Sequence, residues 1–494
     1  MKTLPLNYQN PIRFGTDGWR AIISDGFTFA NIETVAQAYA DYINNQQIKE
    51  SEDKSDQSLT IVTDLPLIVI GYDRRFLSER FAQRVAEVLA GNNLNIAVFG
   101  GDIPTPIVSW SVVDNKAVGG IVITASHNPA EFNGFKIKDS WGASASSETT
   151  MAVESLIDCN SPRLTDVLHL DRSNLLAKSI ESYRTQISNY IDLDLLRRSS
   201  ARIIIDPMHG AGGRWVESFL QPGNIQTETI HAERDPLFGG VHPEPIDHNL
   251  AALKSKVLET GAVLGLATDG DADRLGAINE LGQTMSMHEV VPLLLRHLVE
   301  KRGLSGGIVR TFSQSVLMKR MAAAYNLPLF ETPIGFKYIA DLMLKENILI
   351  GAEESGGIGV QGHIPERDGI LNSLLLLESV VTAGKSPSEM VREIHCEFGE
   401  FYFDRRDIKM EVRRGQDFVA GLSLSPPVKI TGQTVTGVET QDGTKLLFED
   451  ESWLLFRQSG TEPLLRIYSE ATSETKREAF LEAGETLALE ITAK

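Results

Sequence analysis

Through the first four hundred residues, short apolar runs rich in β-branched residues alternate with segments of helical periodicity. The run at 67–71 is followed by a polar loop at 72–75 and by a helix that we expect Ser78 to cap, extending to about residue 90. Further apolar runs at 95–99 and 118–123 predict two more buried strands. This alternation of strand and helix is typical of a parallel sheet covered by helices.

The same order of elements recurs twice. The second copy comprises a strand at 201–205, a glycine-rich loop at 206–213, a helix at 214–220 and a late strand at 261–268, and the third comprises a strand at 307–310, a helix at 315–325 and a late strand at 348–351. Each late strand leads directly into a polar loop, at 126–127, 269–274 and 353–357. We therefore predict three similar α/β domains with mixed, mainly parallel sheets, whose loops face one central cleft.

The last hundred residues follow a different pattern. Short strands are predicted at 408–412, 428–430, 435–438, 445–448 and 452–457, with no helix between them, and a helix follows at 473–492. This order predicts a smaller C-terminal α+β domain with an antiparallel sheet. The predicted domains are therefore 1–200, 201–303, 304–406 and 407–494.

The composition is that of an ordinary globular chain, with 494 residues of which 42% are hydrophobic and 23% charged. Its formal net charge is −19, and it has no run rich in lysine and arginine, which argues against nucleic acid as a partner. The amino-terminal residues lack the apolar core of a signal peptide, and no window approaches the roughly 18 apolar residues of a membrane span. Cys159 and Cys396 suggest no disulfide framework. We expect a cytoplasmic protein without a membrane partner.

Ser126 is the first candidate for chemistry. It lies in the segment Thr124-Ala-Ser-His-Asn-Pro129, directly after the apolar run at 118–123. In open α/β sheets, ligands bind beyond the carboxyl ends of the strands. A serine beside a histidine at such a place could be an activated nucleophile, although six residues alone are also compatible with a small polar turn.

The segment Asp269-Gly-Asp-Ala-Asp-Arg274 is the strongest single signal. If the loop is extended, its three carboxylates share one face, which is unfavourable unless a hard divalent cation such as Mg²⁺ or Ca²⁺ lies among them. An EF-hand is excluded because Arg274 occupies the position of its obligatory glycine and a strand precedes the loop. A phosphate oxygen would complete a magnesium site built on three carboxylates.

A further loop, at 457–463, combines an arginine, two hydroxyls and a glycine, the ingredients of a phosphate cradle, although a plain hairpin turn is an alternative. Together with the loops at 124–129, 269–274 and 353–357, it resembles the four signature loops of the α-D-phosphohexomutase superfamily, in that family's order and domain spacing. The segment 14–20 is similar to the family's amino-terminal loop, so that the resemblance covers essentially the whole chain.

The resemblance implies three α/β domains and a smaller fourth one around a deep cleft. It implies a phosphoserine at Ser126 and one Mg²⁺ per chain, bound by a phosphoryl oxygen on Ser126 and by Asp269, Asp271 and Asp273. The enzyme would give its phosphoryl group to a hexose monophosphate, and the resulting bisphosphate would turn around and return its other phosphate. A sugar bisphosphate would serve as activator or phosphoryl donor.

The remaining roles are also implied by the resemblance. Arg20 and Arg274 would hold the reacting phosphoryl group near Ser126. His127 and Lys136 are candidates for general acid–base work on the sugar hydroxyl, and without the resemblance Lys136 would be read as an ordinary surface lysine. The sugar hydroxyls would be bound by Glu353 and Ser355. The distal phosphate would be bound by Arg457, Ser459, Gly460 and Thr461. The substrate site would be completed by Gly335, Lys337 and Arg367, with Arg310 as a further candidate.

The loop at 353–357 resembles glucose-phosphate enzymes more than glucosamine-phosphate or dual glucose/mannose enzymes, in which a histidine usually follows the serine–glycine pair. Here Gly357 and Ile358 follow, and the nearest histidine is His363. We therefore expect a mutase that interconverts glucose 1-phosphate and glucose 6-phosphate, acting as a monomer or homodimer. The alternatives are a glucose 1,6-bisphosphate synthase using a donor such as fructose 1,6-bisphosphate, a phosphomannomutase or dual-specificity mutase, and a non-catalytic sugar-phosphate sensor.

Overall fold

A computed structural model describes residues 12–15, 17–53, 65–166, 172–459 and 463–492. The chain forms two compact units, one comprising Met1–Gly276 with Gly362–Leu374 and the other Ala277–Gln361 with Leu375–Lys494. Across the described ranges, no helix has the length and apolarity needed to cross a membrane.

The first domain is built on a mixed sheet with the strand order β1-β5-β4-β2-β3. Its elements are β1 (Trp19–Ile22), α1 (Phe29–Asp53), β2 (Leu67–Tyr72), α2 (Ser78–Gly91), β3 (Asn95–Val98), α3 (Thr105–Asp114), β4 (Gly119–Ile123), β5 (Phe132–Lys138), α4 (Ser147–Ser155), α5 (Ser173–Tyr190) and α6 (Leu193–Arg198). Strand β2 pairs in parallel with β3 and β4, and β5 pairs antiparallel with β4 and β1. Helix α2 packs into the core through Phe81, Val85 and Leu89, which recur at the spacing of one helical face.

The predicted cap of α2 is wrong. Leu77, in a left-handed conformation with φ 61°, precedes the helix, and Ser78 is its first residue. The Ser78 hydroxyl instead donates to Asp73 Oδ1 at 2.9 Å, because Asp73 is a buried carboxylate that requires hydrogen-bond donors.

The second domain repeats the parallel arrangement. Its elements are β6 (Arg202–Asp206), α7 (Trp215–Leu220), β7 (Gln226–Thr229), α8 (Ala251–Thr260), β8 (Leu264–Thr268), β9 (Leu275–Asn279), β10 (Thr284–Met285) and α9 (Met287–Arg296), with short 3-10 helices at Phe238–Gly240 and Asp247–Asn249 and a π-helical turn at His297–Lys301. Strand β6 pairs in parallel with β7 and β8, and β9 pairs antiparallel with β10.

The third domain has the strand order β12-β11-β13-β14. Its elements are β11 (Gly307–Thr311), α10 (Val316–Ala324), β12 (Leu329–Thr332), α11 (Phe336–Lys345), β13 (Ile348–Ala352), β14 (Ile358–Val360), α12 (Gly369–Ala383) and α13 (Pro387–Phe398). The predicted three-fold repeat is confirmed, because β2, β6 and β11 each lie between two parallel neighbours, and the late neighbour ends where a polar loop begins.

The C-terminal domain is an antiparallel sheet with the order β15-β20-β19-β18-β17-β16. Its elements are β15 (Tyr402–Lys409), α14 (Val412–Leu424), β16 (Lys429–Ile430), β17 (Gln433–Glu439), β18 (Thr444–Phe448), β19 (Trp453–Gln458), β20 (Leu464–Ala471) and α15 (Glu474–Thr492). The α+β class is confirmed, but the prediction that no helix separates the strands is wrong. Helix α14 is capped by the Glu411 carboxylate and buries Phe418 and Leu422 in the domain core.

Candidate active site

Ser126 lies in the loop that follows β4 and is buried, with 1% of its surface exposed. Its hydroxyl donates to Asp269 Oδ2 at 2.8 Å, and His127 Nδ1 lies 3.3 Å from the same hydroxyl oxygen. The backbone of Ser126 is left-handed, with φ 52°, which is uncommon for a residue other than glycine. A surface turn would leave the hydroxyl in solvent, whereas here it is directed at a carboxylate of another domain.

Asp269, Asp271 and Asp273 are fully buried, and one carboxylate oxygen from each lies within 4.8 Å of the other two. The predicted convergence is therefore present, but its predicted cause is wrong, because the loop is a tight turn rather than extended. Ala272 has φ 61°, and Asp269 Oδ1 accepts hydrogen bonds from the backbone N–H groups of Asp273 and Arg274 at 3.0 and 3.1 Å. These bonds curl the chain and direct the carboxylates to one point.

Gly270 allows this turn to approach the Ser126 loop. A Cβ atom on Gly270 would lie only 2.3 Å from the carbonyl oxygen of Ser126, so any side chain would force the two loops apart. The absence of a side chain at this position is thus what lets Ser126 reach Asp269.

The electrostatics of the three aspartates favour a cation. Burial, followed by repulsion from Asp273 and Asp271, raises the pKa of Asp269 well above its ordinary value. Burial also acts to raise the pKa of Asp271, but the Lys136 ammonium more than offsets it and the pKa is lowered. Asp271 Oδ1 and Asp273 Oδ1 are buried and have no hydrogen-bond partner among the described residues. Such orphaned carboxylate oxygens fit a hard divalent cation such as Mg²⁺.

Lys136 projects from β5 into this cluster. Its Nζ lies 2.8 Å from Asp271 Oδ2, 3.0 Å from Asp273 Oδ2 and 2.8 Å from Asp17 Oδ2, and the residue is fully buried. The surface-lysine alternative is therefore wrong. Burial acts to lower the pKa of Lys136, but the three carboxylates raise it overall, so the side chain is charged at neutral pH.

The predicted arginines lie around the same loops. Arg20, in β1, donates to Asn128 Oδ1 at 2.5 Å, and Arg274 directly follows the third aspartate. Arg367, which the resemblance assigns to the substrate site, lies in the first unit, with Nη2 2.6 Å from Asp17 Oδ2 and 3.0 Å from Asp273 Oδ2. Its place is therefore beside the three aspartates.

Asp17 and Arg75 are residues of this site that sequence reasoning missed. Asp17 pairs with both Lys136 and Arg367, and these cations lower its pKa well below the ordinary value although burial opposes them. Arg75 contacts the Ser126 loop from the end of β2. The position of Arg75 could have been recognised from the sequence, because charged residues that follow a buried strand of a parallel sheet lie at the edge where ligands bind.

In the second unit, the predicted sugar-binding residues follow neighbouring strands. Gly335 and Lys337 come after β12, and Glu353 and Ser355 come after β13. Because β12 and β13 both pair in parallel with β11, their carboxyl ends meet at one edge of the sheet. Glu353 is 5% exposed, and burial lowers the pKa of Lys337.

Asp442 links Arg457 to the loop that follows β12, at the carboxyl ends of the strands of this sheet. Asp442 was not identified from the sequence. Asp442 Oδ1 lies 2.9 Å from Arg457 Nε, and its Oδ2 accepts a hydrogen bond of 2.8 Å from the backbone N–H of Ile334. Ser459, in the predicted phosphate-binding loop at 457–463, is buried, and its N–H donates to the carbonyl of Leu464. Gly460 and Thr461 lie outside the described residues.

Comparison with known proteins gives matches over all four domains. Family models of phosphoglucomutase/phosphomannomutase match the chain, with α/β/α domain I at 11–163, domain II at 181–282, domain III at 287–398 and the C-terminal domain at 408–484. A phosphoglucomutase/phosphomannomutase of Thermococcus kodakarensis is 30% identical over 422 residues, which cover 85% of this chain and 89% of the relative.

Two further relatives bear different substrate names. A phosphoglucosamine/phosphogalactosamine mutase of Sulfurisphaera tokodaii is 28% identical, and the match covers 93% of this chain and 95% of the relative. A crystal structure from Thermus thermophilus, named "putative phosphomannomutase", superposes with a TM-score of 0.82 at 34% identity, covering 97% of this chain and 99% of that one. With all four domain models matched in order, the chain belongs to the phosphoglucomutase/phosphomannomutase family of the α-D-phosphohexomutase superfamily and is a phosphohexomutase.

Proposed function

We propose that the protein interconverts glucose 1-phosphate and glucose 6-phosphate through a phosphoserine at Ser126 and a glucose 1,6-bisphosphate intermediate. One observation carries this proposal: the buried Ser126 hydroxyl donates to Asp269, within the cluster of three aspartates. A serine oxygen beside a carboxylate cluster that fits a divalent cation is an arrangement suited to phosphoryl transfer, in which a metal ion neutralises the charge on the transferred group.

The reaction consists of two phosphoryl transfers. In the first, a bond forms between phosphorus and the free hydroxyl oxygen of the hexose phosphate while the bond between phosphorus and Ser126 Oγ breaks. The hydroxyl proton passes to a base, and Ser126 Oγ takes up a proton, so that the serine hydroxyl is regenerated. The bisphosphate then reorients and returns its other phosphoryl group to Ser126, with the proton moving in the opposite direction. His127 is the candidate acid–base group near Oγ, whereas Lys136, whose raised pKa makes it hold its proton tightly, would act mainly through its positive charge.

Asp269, Asp271 and Asp273 would hold Mg²⁺ together with a phosphoryl oxygen on Ser126. When bound, the ion would neutralise the charge that develops on the transferred phosphoryl group. Two arginines would assist: Arg20 donates to Asn128 in the Ser126 loop, and Arg274 Nε lies 4.0 Å from Asp273 Oδ1, so that both can orient the phosphoryl oxygens.

The loops of the second unit are assigned to substrate binding. Glu353 and Ser355 are assigned to the sugar hydroxyls, and Gly335 and Lys337 line the same sheet edge. For the distal phosphate we assign Arg457, Ser459, Gly460 and Thr461. Asp442 holds Arg457 close to the loop after β12.

The preference for glucose rests on the missing histidine after Ser355-Gly356. The nearest histidine in sequence, His363, stacks on Trp110 and places Nε2 3.0 Å from Asp368 Oδ2, with 1% of its side chain exposed. This packing keeps the imidazole from replacing the missing sugar contact. Dual glucose and mannose specificity is the second candidate, because the Thermococcus relative carries both activities in its name.

The test is a phosphorus NMR time course with Mg²⁺ and glucose 1-phosphate, a trace of glucose 1,6-bisphosphate and, separately, mannose 1-phosphate. Dominant formation of glucose 6-phosphate, abolished by Ser126→Ala, supports the proposal. Accumulation of glucose 1,6-bisphosphate from fructose 1,6-bisphosphate would identify a synthase instead, and equal turnover of mannose 1-phosphate would identify a dual-specificity mutase. Undiminished turnover in Ser126→Ala would remove the phosphoserine mechanism, and no turnover in the wild type would favour a sensor.

A further inference from the structure

Arg75 is a charged residue with no solvent exposure, located just after the end of β2. A buried cation is strongly unfavourable unless its charge and its N–H groups are all matched. The charge is matched by Asp73, whose Oδ2 lies 3.1 Å from Arg75 Nε. The phosphoryl-transfer roles proposed above leave Arg75 without a function.

The other donors of Arg75 all bind one loop. Nη2 donates to the carbonyl oxygens of Ser126 and Asn128, both at 2.6 Å. Nη1 donates to those of Pro129 and Phe132, at 2.7 and 3.0 Å. A guanidinium has five N–H donors, so every donor is used and four of them hold the backbone that begins at Ser126.

A second connection fixes the other side of Ser126. Asp73 Oδ2 accepts from the Thr124 hydroxyl at 2.6 Å, and the oxygen of that hydroxyl accepts from the Ser126 N–H at 2.8 Å. The buried Asp73–Arg75 pair thus engages both the N–H and the C=O of Ser126. A left-handed serine persists only where its surroundings impose that backbone conformation, and these bonds impose it.

We propose that Arg75 is a positioning residue for phosphoryl transfer, because it holds the backbone from Ser126 to Phe132 and so aims Ser126 Oγ at the three aspartates. The inference rests on the proposed role of Ser126 as the phosphoryl carrier. Lysine cannot replace Arg75, since one ammonium lacks the planar fork that reaches four carbonyl oxygens. A small misplacement of reacting atoms lowers the rate more than it weakens substrate binding.

The experiment compares Arg75→Lys and Arg75→Ala with Arg197→Ala. Arg197 lies in the same unit and also binds a backbone carbonyl, that of Phe219, at 2.9 and 3.1 Å, but it does not contact the Ser126 loop. With Mg²⁺ and glucose 1-phosphate, we expect kcat of Arg75→Lys to fall about 100-fold with KM changed less than about threefold. Guanidinium added at millimolar concentration should raise the turnover rate of Arg75→Ala at least about tenfold, because it supplies the missing hydrogen-bond donors.

Hydrogen exchange without substrate gives a readout that does not depend on activity. We expect faster exchange confined to the peptide containing residues 124–132 in Arg75→Lys, and no change there in Arg197→Ala. Unchanged kcat and exchange in Arg75→Lys, or exchange that rises uniformly over the whole unit without guanidinium rescue, would overturn the positioning role. If the wild type shows neither turnover nor phosphoserine, the proposed function fails, while local exchange still decides whether Arg75 holds the loop.

Discussion

Two buried acidic sites in this protein have opposite hydrogen-bonding patterns. In the second unit, Glu470 is fully buried, and its two oxygens contact His288 Nδ1 at 3.0 Å, Ser315 Oγ at 2.5 Å, Val316 N at 2.9 Å and Trp453 Nε1 at 2.9 Å. Every lone pair that points into the core is thus used. This carboxylate is satisfied by the protein itself.

The three aspartates of the first unit are equally buried, but two of them have an oxygen that is not satisfied in this way. Asp271 Oδ1 and Asp273 Oδ1 have no hydrogen-bond partner in the described part of the chain, and Asp269 is repelled by both neighbours. Equal burial with unequal hydrogen bonding separates a carboxylate with a structural role from carboxylates that could hold a metal ion. Folding tolerates the unsatisfied site because Lys136 and the buried arginines supply part of the charge.

Asp269→Asn should show the largest effect and should act in opposite directions on activity and stability. Loss of one carboxylate ligand should lower turnover at least about a thousandfold, equivalent to about 4 kcal/mol. Without metal, the variant should be about 1 kcal/mol more stable than the wild type, because like-charge repulsion is relieved and the amide oxygen can still accept the two backbone bonds. Steady-state kinetics and urea unfolding in chelator measure the two effects.

The matched control is Asp247→Asn, an exposed aspartate in the same domain that pairs with Lys254. This substitution should leave the turnover and the free energy of unfolding nearly unchanged. If metal-free Asp269→Asn were less stable than the wild type, the distinction between the two acidic sites would not hold.

Glu470→Gln should destabilise the protein by about 3 kcal/mol at neutral pH. Burial alone would raise the pKa of Glu470, but the attraction of His288 and the hydrogen bonds lower it from 4.5 to about 2. A depressed carboxylate pKa contributes stability above the unfolded value, and this contribution is lost as the pH falls from about 4.5 toward 2. Urea unfolding of both proteins across this range should therefore show the difference shrinking with acidity.

Glu393→Gln controls for the substitution itself. Glu393 forms an exposed pair with Lys385, so its loss should change the unfolding free energy by less than about 0.5 kcal/mol at every pH. A Glu470→Gln effect no larger than that of the control would show that the satisfied cluster contributes little.

Mg²⁺ should stabilise the wild type by about 2.7 kcal/mol at a concentration 100 times its dissociation constant, because only the folded chain brings the three carboxylates together. Asp273→Asn should lose most of this gain, whereas Glu470→Gln should retain it. Thermal unfolding with and without chelator measures the shift. Equal stabilisation of Asp273→Asn by Mg²⁺ would place the ion elsewhere.

Thr105→Val should have the smallest effect, and it tests whether this hydroxyl supports the proposed metal site. The Thr105 hydroxyl donates to Asp271 Oδ2 at 2.7 Å, so its removal should weaken Mg²⁺ binding about tenfold while the fold is retained. Thr444→Val is the control, because that buried hydroxyl donates to the carbonyl of Val419 in the second unit. Isothermal titration measures the Mg²⁺ dissociation constant of both variants. An unchanged Mg²⁺ affinity in Thr105→Val would show that this hydroxyl does not orient Asp271.

Sequence patterns predicted the repeated strands well, because a buried parallel strand requires a continuous apolar run. They failed at helix α14 and at the start of α2. At α14, the capping role of Glu411 depends on local backbone geometry, and the buried positions of Phe418 and Leu422 depend on the sheet that they cover. At α2, Ser78 has the residue type of a helix cap, but its hydroxyl donates a hydrogen bond to the buried carboxylate of Asp73 instead.

The sequence by itself determined the three-fold repeat, the residue types in each loop and the presence of three carboxylates after a buried strand. Only the tertiary structure decided which charges neutralise one another. Lys136 and Asp271 are 135 residues apart, and Arg75 meets Ser126 across 51 residues, so neither pairing has a local pattern. The physical reason is that periodicity records whether a side chain is buried, whereas its partner depends on how separate loops come together.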